Sequence, residues 1–372
     1  MAEAKTRVRE AEPAVTSKAL DGARRRAAAA GGVDEATQRA MYRAMLMARM
    51  TDERCWLLNR GGKAPFVISC QGQEGAQVGS VFALDREQDW FVPYYRDLAV
   101  VMALGMTPED IFKSVMGRAG EPNSGARQMP SHFGSRKLRI VSQGSSVATQ
   151  CLHAVGTALA SKIRGEKAVS ICYVGEGGTS QGDFHEALNF ASVHRLPVIM
   201  FVENNQYAIS VPQDLQMAVQ DVAIRAAGYG IPGFVVDGQD VFEVHRLTSD
   251  AAARARAGEG PTLIEAKTHR LTSHSSDDDQ RVYRPAEEIK QEASEDAVPR
   301  FRNQLLKAGV ITEEDDKALR AELLAEIDAA TEAAENAPYP APEETLLHVY
   351  GEGGPEPDEL RGDPRADLGG EA

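Results

Sequence analysis

The stretch AVSICYVGEGGTSQGDFHEALNFASVHRLPVIMFVENN, residues 168–205, decides the fold of this chain. Residues 168–174 and 198–202 are short apolar runs rich in β-branched side chains, which is typical of strands buried on both faces. The segment between them carries apolar residues at helical spacing, namely Phe184, Ala187, Leu188 and Ala191. A strand, a crossover helix and a parallel strand bring both strand ends to one edge of a sheet, where open α/β sheets bind ligands.

Glycines and polar residues follow each of these strands. Gly175-Glu176-Gly177-Gly178 ends the first, and Asn204-Asn205 ends the second, so that Glu176 and Asn205 are 29 positions apart. The glycines allow a phosphate to approach the backbone closely, and a helix start near Thr179 offers free N–H groups. Magnesium takes one or two carboxylates and completes its shell with phosphate, carbonyl and water oxygens. The pattern therefore predicts a site for a magnesium diphosphate.

A dinucleotide-binding loop is the main structural alternative to this interpretation. Such a loop requires G-x-G-x-x-G and an acidic residue about 20 positions further along the chain. Position 180 is Ser here, so the pattern is broken. Either motif alone would be typical of a turn or a cap, and the spacing of the two between buried strands favours the diphosphate site.

Composition is that of a large globular protein. With 372 residues we expect about two domains, and the formal charge of −14 disfavours binding to nucleic acid or to an anionic membrane surface. No apolar run approaches the length of about 18 residues that spans a membrane, and the N-terminus lacks a signal-peptide core. We therefore expect a cytoplasmic protein.

The four cysteines show no C-x-x-C or zinc spacing, which predicts reduced core thiols.

Three regions can be delimited along the chain. Residues 1–33 are rich in Ala, Arg and Glu and predict a flexible arm, whereas residues 337–372 are rich in Pro, Gly and Glu and predict a partly disordered tail. Residues 34–336 form the predicted main domain. Within it, helices are expected to begin after Asp34, Thr107 and Thr312, and further strands at residues 234–236 and 262–266.

Two charged side chains can be placed by their chemistry. Arg96 lies in PYYRD, where aromatic neighbours would bury it and its guanidinium suits bidentate contact with a phosphate. A surface salt bridge is the alternative for this residue. His274 lies in the polar stretch SHSSDDD, which is too hydrophilic for a core. It is either a solvated loop residue or a histidine that titrates near neutrality beside an anionic ligand.

Further motifs occur in a fixed order, namely FVISCQGQEGAQVGS, PYYRD, ARQMPSHFG, SSVATQ and THRLTSHSSDDD. From about Met41 to about Tyr350 the sequence resembles the alpha subunits of thiamine-diphosphate-dependent 2-oxoacid dehydrogenases, most closely those acting on branched-chain substrates. The resemblance implies the α/β thiamine-diphosphate-binding fold. It has a largely parallel central sheet flanked by helices, with helical N- and C-terminal extensions.

The same resemblance implies roles for individual residues. Tyr95 and Arg96 would reach the cofactor diphosphate. His274 would lie by the diphosphate and the reacting centre, where it would bind the cofactor and assist transfer of the acyl group to lipoamide. Magnesium would be held by Glu176, Asn205 and the backbone carbonyl of Tyr207. Gly175, Gly177 and Gly178 would lie against the diphosphate. Ser145 and Val147 would surround the middle of the cofactor, and a potassium ion is implied for a loop containing Gly144, Ser146, Thr149 and Gln150.

The implied reaction is oxidative decarboxylation of a branched-chain 2-oxo acid with reductive acylation of lipoyl groups on the acyltransferase core. A beta subunit would complete each active site, which implies an α2β2 heterotetramer. Residues 66–73 would help to line the acyl pocket. Residues 272–284 would form a cofactor loop that orders when the ligand binds. Ser275 occupies a position that a kinase phosphorylates in animal members.

Three other functions remain open at this stage. A pyruvate or acetoin dehydrogenase alpha subunit would share the mechanism but have a different acyl pocket. A self-sufficient enzyme such as a transketolase would need a pyrimidine-binding domain in the same chain, for which 372 residues leave no room. A non-catalytic nucleotide-binding or scaffolding protein would have no reason to combine Arg96 and His274 with the predicted metal pair.

Overall fold

The computed structural model of the chain describes residues 32–347. Its centre is a five-stranded parallel sheet in the order β1-β2-β3-β7-β6. The strands are β1 (Trp90–Val92), β2 (Ser170–Gly175), β3 (Val198–Asn204), β6 (Gly233–Asp237) and β7 (Thr262–Lys267). A separate antiparallel pair consists of β4 (Tyr207–Ala208) and β5 (Val211–Pro212). The predicted α/β fold with a parallel sheet is confirmed.

Helices cover both faces of this sheet. They are α1 (Glu35–Arg60), α2 (Glu74–Phe82), α3 (Leu98–Leu104), α4 (Pro108–Met116), α5 (Thr149–Ile163), α6 (Gly182–Val193), α7 (Gln213–Gln216), α8 (Val241–Arg256), α9 (Ala286–Ser294), α10 (Ala297–Ala308) and α11 (Glu313–Asn336). One apolar core lies under α1–α4, α8, α10 and α11, and a second lies under α5 and α6. Because β2 and β3 are buried along their length, they form a rigid platform whose carboxyl ends carry the predicted motifs.

The predicted helix starts agree with the structure. The side chains of Asp34, Thr107 and Thr312 each accept a backbone N–H of the first turn, and the two threonines form capping boxes. One start was wrong. Residues 176–180 form a 3₁₀ turn, and the helix begins at Gly182 rather than near Thr179. The hydroxyl of Thr179 donates to the carbonyl of Glu176 at 2.6 Å, which closes this tight turn.

The two predicted ends lie mostly outside the described residues. Residues 1–31 of the predicted arm and 348–372 of the predicted tail are not described. The first part of the predicted tail does contact the main domain, since Ala119 donates its N–H to the carbonyl of Pro338 at 2.9 Å. The guanidinium of Arg118 also lies 4.2 Å from the centre of the Tyr339 ring. The packed part of the chain therefore continues past Pro338.

All four cysteines are buried free thiols, as predicted. Cys151 and Cys172 lie in contact between α5 and β2, with their sulfur atoms 3.7 Å apart. In the described part of the chain, no helix has both the length and the apolar content needed to cross a membrane.

Candidate metal and phosphate site

Glu176 and Asn205 meet at the carboxyl edge of the sheet, as their spacing predicted. Oε2 of Glu176 accepts the backbone N–H of Asn205 at 3.2 Å, and Oδ1 of Asn205 accepts the N–H of Tyr207 at 3.2 Å. Glu176 is 1% exposed, and its Oε1 has no hydrogen-bond partner within the described residues. Burial raises the pKa of Glu176. A buried carboxylate oxygen without a partner is costly unless a cation or a proton meets it.

A cation here would depend on few acidic ligands. Across residues 32–347, no group of three or more His, Cys, Asp and Glu side chains is arranged to hold a metal ion. Glu176 is the carboxylate that the motif offers to such an ion, beside the neutral oxygens of Asn205 and the Tyr207 backbone. This donor set suits magnesium only if phosphate and water oxygens complete its octahedral shell.

Two glycines of the motif are required by the protein itself. A Cβ at Gly178 would lie 2.7 Å from Cγ2 of Val174 and 2.9 Å from Cγ1 of Val147. A Cβ at Gly177 would lie 2.8 Å from Cβ of Ala208. At these distances a Cβ would force the neighbouring atoms to shift, so the 3₁₀ turn packs directly against the chain on both sides. A Cβ at Gly175 would meet only ordinary contacts, the nearest being Tyr94 at 3.8 Å.

Asn204 has a structural role beside the candidate ligand Asn205. Its amide nitrogen donates to Glu265 at 2.6 Å and to Gln213 at 2.7 Å, and its Oδ1 accepts the N–H of Gln206 at 2.9 Å. Gln206 has a positive φ of 68°, which L residues rarely adopt. The side chain of Asn204 thus holds the sharp turn that aims Asn205 at Glu176.

Arg96 is buried, as its aromatic neighbours predicted. It is 2% exposed, and the guanidinium lies 5.5 Å from the centre of the Tyr95 ring. Nη1 donates to the carbonyl of Ser69 at 2.7 Å, and Nη2 lies 3.1 Å from Nδ1 of His274. The charge of Arg96 acts to lower the pKa of Glu176. This cation therefore lies in the same site as the candidate metal ligand.

His274 differs from the expected histidine that titrates near neutrality. Burial and the charges of Arg96 and Arg270 lower its pKa to about 4, against a weaker opposite effect of Asp278. Because a guanidinium can only donate, Nδ1 of His274 accepts from Arg96 and the ring proton lies on Nε2. The ring is half-buried and packs edge-on against Tyr95. In this structure His274 is a neutral histidine within a cationic cluster.

Polar contacts hold the loop of residues 272–284. Asp278 accepts the N–H of His274 at 2.7 Å and the hydroxyl of Tyr283 at 2.5 Å. Arg270 donates to Tyr283 at 2.7 Å and to the carbonyl of Ile209 at 2.8 Å, so it joins this loop to the turn between β4 and β5. Whether the loop orders only with a ligand stays a prediction.

Tyr207 is also linked to the far end of this loop. Its hydroxyl donates to Glu288 at 3.1 Å, and Arg284 lies 4.8 Å from the centre of its ring. The backbone that offers the third predicted metal ligand is thus fixed by helix α9.

Ser145 and Val147 lie on the loop before α5. Both are exposed, and Val147 reaches the 3₁₀ turn at Gly178. Ser145 Oγ lies 2.6 Å from Nε2 of His132. In the predicted potassium loop, Gln150 donates to the carbonyl of Tyr173 at 3.1 Å and Thr149 to Asp183 at 3.0 Å.

The structure adds residues that the sequence did not single out. Gln77 is fully buried, and its Nε2 donates to the carbonyl of Arg96 at 3.1 Å and to Oε2 of Glu203 at 3.0 Å. Burial raises the pKa of Glu203 to about 7, and burial also raises the pKa of the neighbouring Asp97 well above its usual range. Asp52 accepts the N–H of Cys70 at 2.7 Å and shapes the segment that carries Ser69. Gln77 and Asp52 therefore support Arg96 from two sides. Gln77 holds the backbone carbonyl of Arg96, and Asp52 holds the segment whose Ser69 carbonyl accepts from the Arg96 guanidinium.

Comparison with known proteins gives a consistent result. Residues 42–343 match the family model described as dehydrogenase E1 component. The chain is 53% identical over 310 residues to the 2-oxoisovalerate dehydrogenase subunit alpha of Bacillus subtilis (strain 168), which covers 83% of this chain and 94% of that protein.

Two further relatives are less similar. The 3-methyl-2-oxobutanoate dehydrogenase subunit alpha of Mycobacterium tuberculosis (strain CDC 1551 / Oshkosh) is 38% identical over 334 residues, or 90% of this chain and 88% of that protein. The pyruvate dehydrogenase E1 component subunit alpha of Staphylococcus aureus (strain Mu50 / ATCC 700699) is 37% identical over 293 residues, or 78% of this chain and 76% of that protein.

Proposed function

Because the chain belongs to the dehydrogenase E1 component family, we propose that it is the alpha subunit of a dehydrogenase that acts on branched-chain 2-oxo acids. The family that the sequence resembled is confirmed, and so is the branched-chain type, since relatives named for 2-oxoisovalerate reach 53% identity and the pyruvate relative 37%. The enzyme is an oxidoreductase that would transfer the acyl group to lipoamide.

One observation carries the assignment of the cofactor site. Glu176, fully buried at the sheet edge, has one carboxylate oxygen without a partner in the described residues, 29 positions before Asn205. These residues fit a divalent cation that neutralises a diphosphate. Magnesium would be held by Glu176, Asn205 and the carbonyl of Tyr207. Thiamine diphosphate, when bound, supplies the electron sink for decarboxylation.

Other residues of the site would bind and orient this cofactor. Tyr95 and Arg96 would contact the diphosphate, because Arg96 is a buried cation whose charge already acts on Glu176. Residues 175–178 would let the diphosphate lie against the backbone, and Val147 would support the middle of the cofactor beside Ser145. His274 would donate from Nε2, the nitrogen left protonated by its contact with Arg96.

The proposal includes a potassium ion. Gly144, Ser146, Thr149 and Gln150 would surround it. The side-chain nitrogen of Gln150 and the hydroxyl proton of Thr149 are used within the chain, which leaves their oxygen atoms for a cation.

A beta subunit would complete the site and form an α2β2 heterotetramer. Large apolar side chains are exposed around the candidate site, which supports a partner surface there; they are Val147, Ile209, Val211 and Leu215, at 43%, 57%, 41% and 77% exposure. Further proposed partners are the lipoyl domain and core of the acyltransferase. We place the complex in the cytoplasm.

The acyl pocket would include residues 66–73. This segment lies against the loop of His274, since the backbone N–H of Ser276 donates to the carbonyl of Val67 at 2.9 Å. The same segment contacts Arg96, which donates to the carbonyl of Ser69. Substrate carbon atoms could therefore contact this segment while the reacting end lies near His274.

Co-expression with a beta subunit tests the proposed function. The complex, supplied with thiamine diphosphate and Mg²⁺, should decarboxylate 3-methyl-2-oxobutanoate with a higher kcat/KM than pyruvate. A preference for pyruvate would favour the alternative alpha subunit. An alpha chain that is fully active alone would contradict the whole assignment.

A further inference from the structure

His132 occupies a rigid position beside the candidate site. Residues 131–134 lie along residues 142–145, where Gln143 donates its side-chain N–H to Ser131 at 2.6 Å and its backbone N–H to Phe133 at 3.3 Å. Gly134 permits this approach, because a Cβ there would lie 3.2 Å from Cα of Ser142. His132 itself is 8% exposed. Its ring therefore has little freedom to turn.

The contacts of the ring define its tautomer. Nδ1 of His132 lies 3.2 Å from the carbonyl oxygen of Pro130, and Nε2 lies 2.6 Å from Oγ of Ser145. A carbonyl oxygen can only accept, so the tautomer that satisfies both contacts carries its proton on Nδ1. Nε2 is then an acceptor, and the hydroxyl of Ser145 donates to it.

This arrangement controls what Ser145 presents to the site. Its hydroxyl proton points to His132, and its oxygen has no other hydrogen-bond partner in residues 32–347. Two residues further along, Val147 contacts the 3₁₀ turn that carries Glu176. Ser145 is exposed at the mouth of the same site. Because its proton is used by His132, Ser145 has only oxygen lone pairs left to offer a ligand.

We propose that His132 is a positioning residue, which fixes Ser145 as a hydrogen-bond acceptor for an N–H group of the bound cofactor. The inference rests on the proposed function, because it requires a ligand beside Ser145. His132 itself does not touch the cofactor. Without it the serine hydroxyl rotates freely and donates as readily as it accepts, so the ligand loses a fixed partner.

The alternative is that His132 only fastens the loop of residues 131–134. A fastening role would affect the enzyme whether or not residue 145 carries a hydroxyl. A positioning role acts through that hydroxyl alone. The two roles therefore differ in a double-mutant cycle between His132 and Ser145.

The cycle uses the co-expressed complex and four alpha subunits: wild type, His132→Asn, Ser145→Ala and the double variant. Two quantities are measured for each, the kcat/KM for 3-methyl-2-oxobutanoate and the calorimetric affinity for thiamine diphosphate with Mg²⁺. Asn retains a donor near the position of Nδ1 but has no atom at Nε2. We expect His132→Asn to lower kcat/KM about 10-fold in the wild-type background and less than about 2-fold in the Ser145→Ala background.

Two further variants sharpen the test. His132→Gln places an amide oxygen near Nε2 and should restore kcat/KM to within about 3-fold of the wild type. His153→Asn changes an exposed histidine on α5 and should have no effect. Equal losses from His132→Asn in both backgrounds, in both kcat/KM and cofactor affinity, would overturn the positioning role. A wild-type complex without activity would contradict the proposed function instead, and the affinity cycle would still decide the role of His132.

Discussion

Nη2 of Arg96 lies 3.1 Å from Nδ1 of His274, although the two residues are 178 positions apart in the chain. The arginine can only donate, so this contact keeps the imidazole neutral and leaves its proton on Nε2. The same cation lies near the buried carboxylate of Glu176. Arg96 thus connects the proposed diphosphate site with the proposed acyl-transfer residue.

Replacing His274 by Ala should separate two activities of the complex. Transfer of the acyl group to lipoamide should fall about 100-fold or more, because general acid catalysis by a positioned histidine contributes about that much. Decarboxylation measured with an artificial electron acceptor should fall far less, since that acceptor needs no proton for a lipoyl sulfur. His153→Ala serves as the control. Equal loss of both activities would leave His274 with a role in cofactor binding alone.

The stability of the cofactor-free complex should depend on His274 at mildly acidic pH. Its pKa is lowered from 6.5 to about 4 in the folded chain. Between these values the unfolded state binds the extra proton, so the free energy of unfolding should fall as the pH decreases from about 6.5 to about 4. Urea unfolding of the wild type and His274→Asn measures this difference. An unchanged pH dependence in the variant would show that the histidine is not held neutral.

Introducing a negative charge at Ser275 should impair lipoyl transfer. Ser275 is 6% exposed, and its hydroxyl accepts the N–H of Asp277 at 3.3 Å. The loop already carries the acidic residues Asp277, Asp278 and Asp279, and Ser275→Glu adds one more negative charge to it. Ser275→Gln is the matched control, with similar size and no charge. The Glu variant should transfer acyl groups to lipoamide about 10-fold more slowly than the Gln variant. Equal rates would show that size alone matters.

The apolar side chains around the site should be buried by a partner. Light scattering of the co-purified subunits should give the mass of an α2β2 heterotetramer. Leu215 is exposed and lies next to Gln216, whose side-chain nitrogen donates to the carbonyl of Gly177 in the candidate site. Because this places Leu215 on the proposed partner surface, Leu215→Glu should weaken assembly with the beta subunit. Leu346→Glu is the control, because Leu346 is 82% exposed in the last described turn. Unchanged assembly of the Leu215 variant would place the interface elsewhere.

The parts of the site that the sequence predicted depend on local pattern. β2, α6 and β3 follow one another in the chain, and apolar periodicity identifies each, so the meeting of Glu176 and Asn205 follows from topology alone. The burial of Arg96 followed from its tyrosine neighbours. The helix start near Thr179 was wrong because the pattern does not distinguish a 3₁₀ turn from the first turn of a helix.

The remaining parts depend on partners that are distant in sequence. Gln77 and Glu203 are 126 positions apart, and no short motif links them. The neutral state of His274 is set by two arginines and by burial, none of which can be read from SHSSDDD. His132 was visible within ARQMPSHFG, but its contact with Ser145 requires two loops to lie side by side.

The central claim is that Glu176 and Asn205 hold the cation that neutralises a diphosphate. Calorimetric titration of the complex with thiamine diphosphate, with and without Mg²⁺, tests it most directly. Asn205→Ala should lower the affinity at least about 100-fold and remove its dependence on Mg²⁺, whereas Asn189→Ala, on the exposed face of α6, should change neither. An Asn205→Ala complex with unchanged, Mg²⁺-dependent affinity would contradict the account.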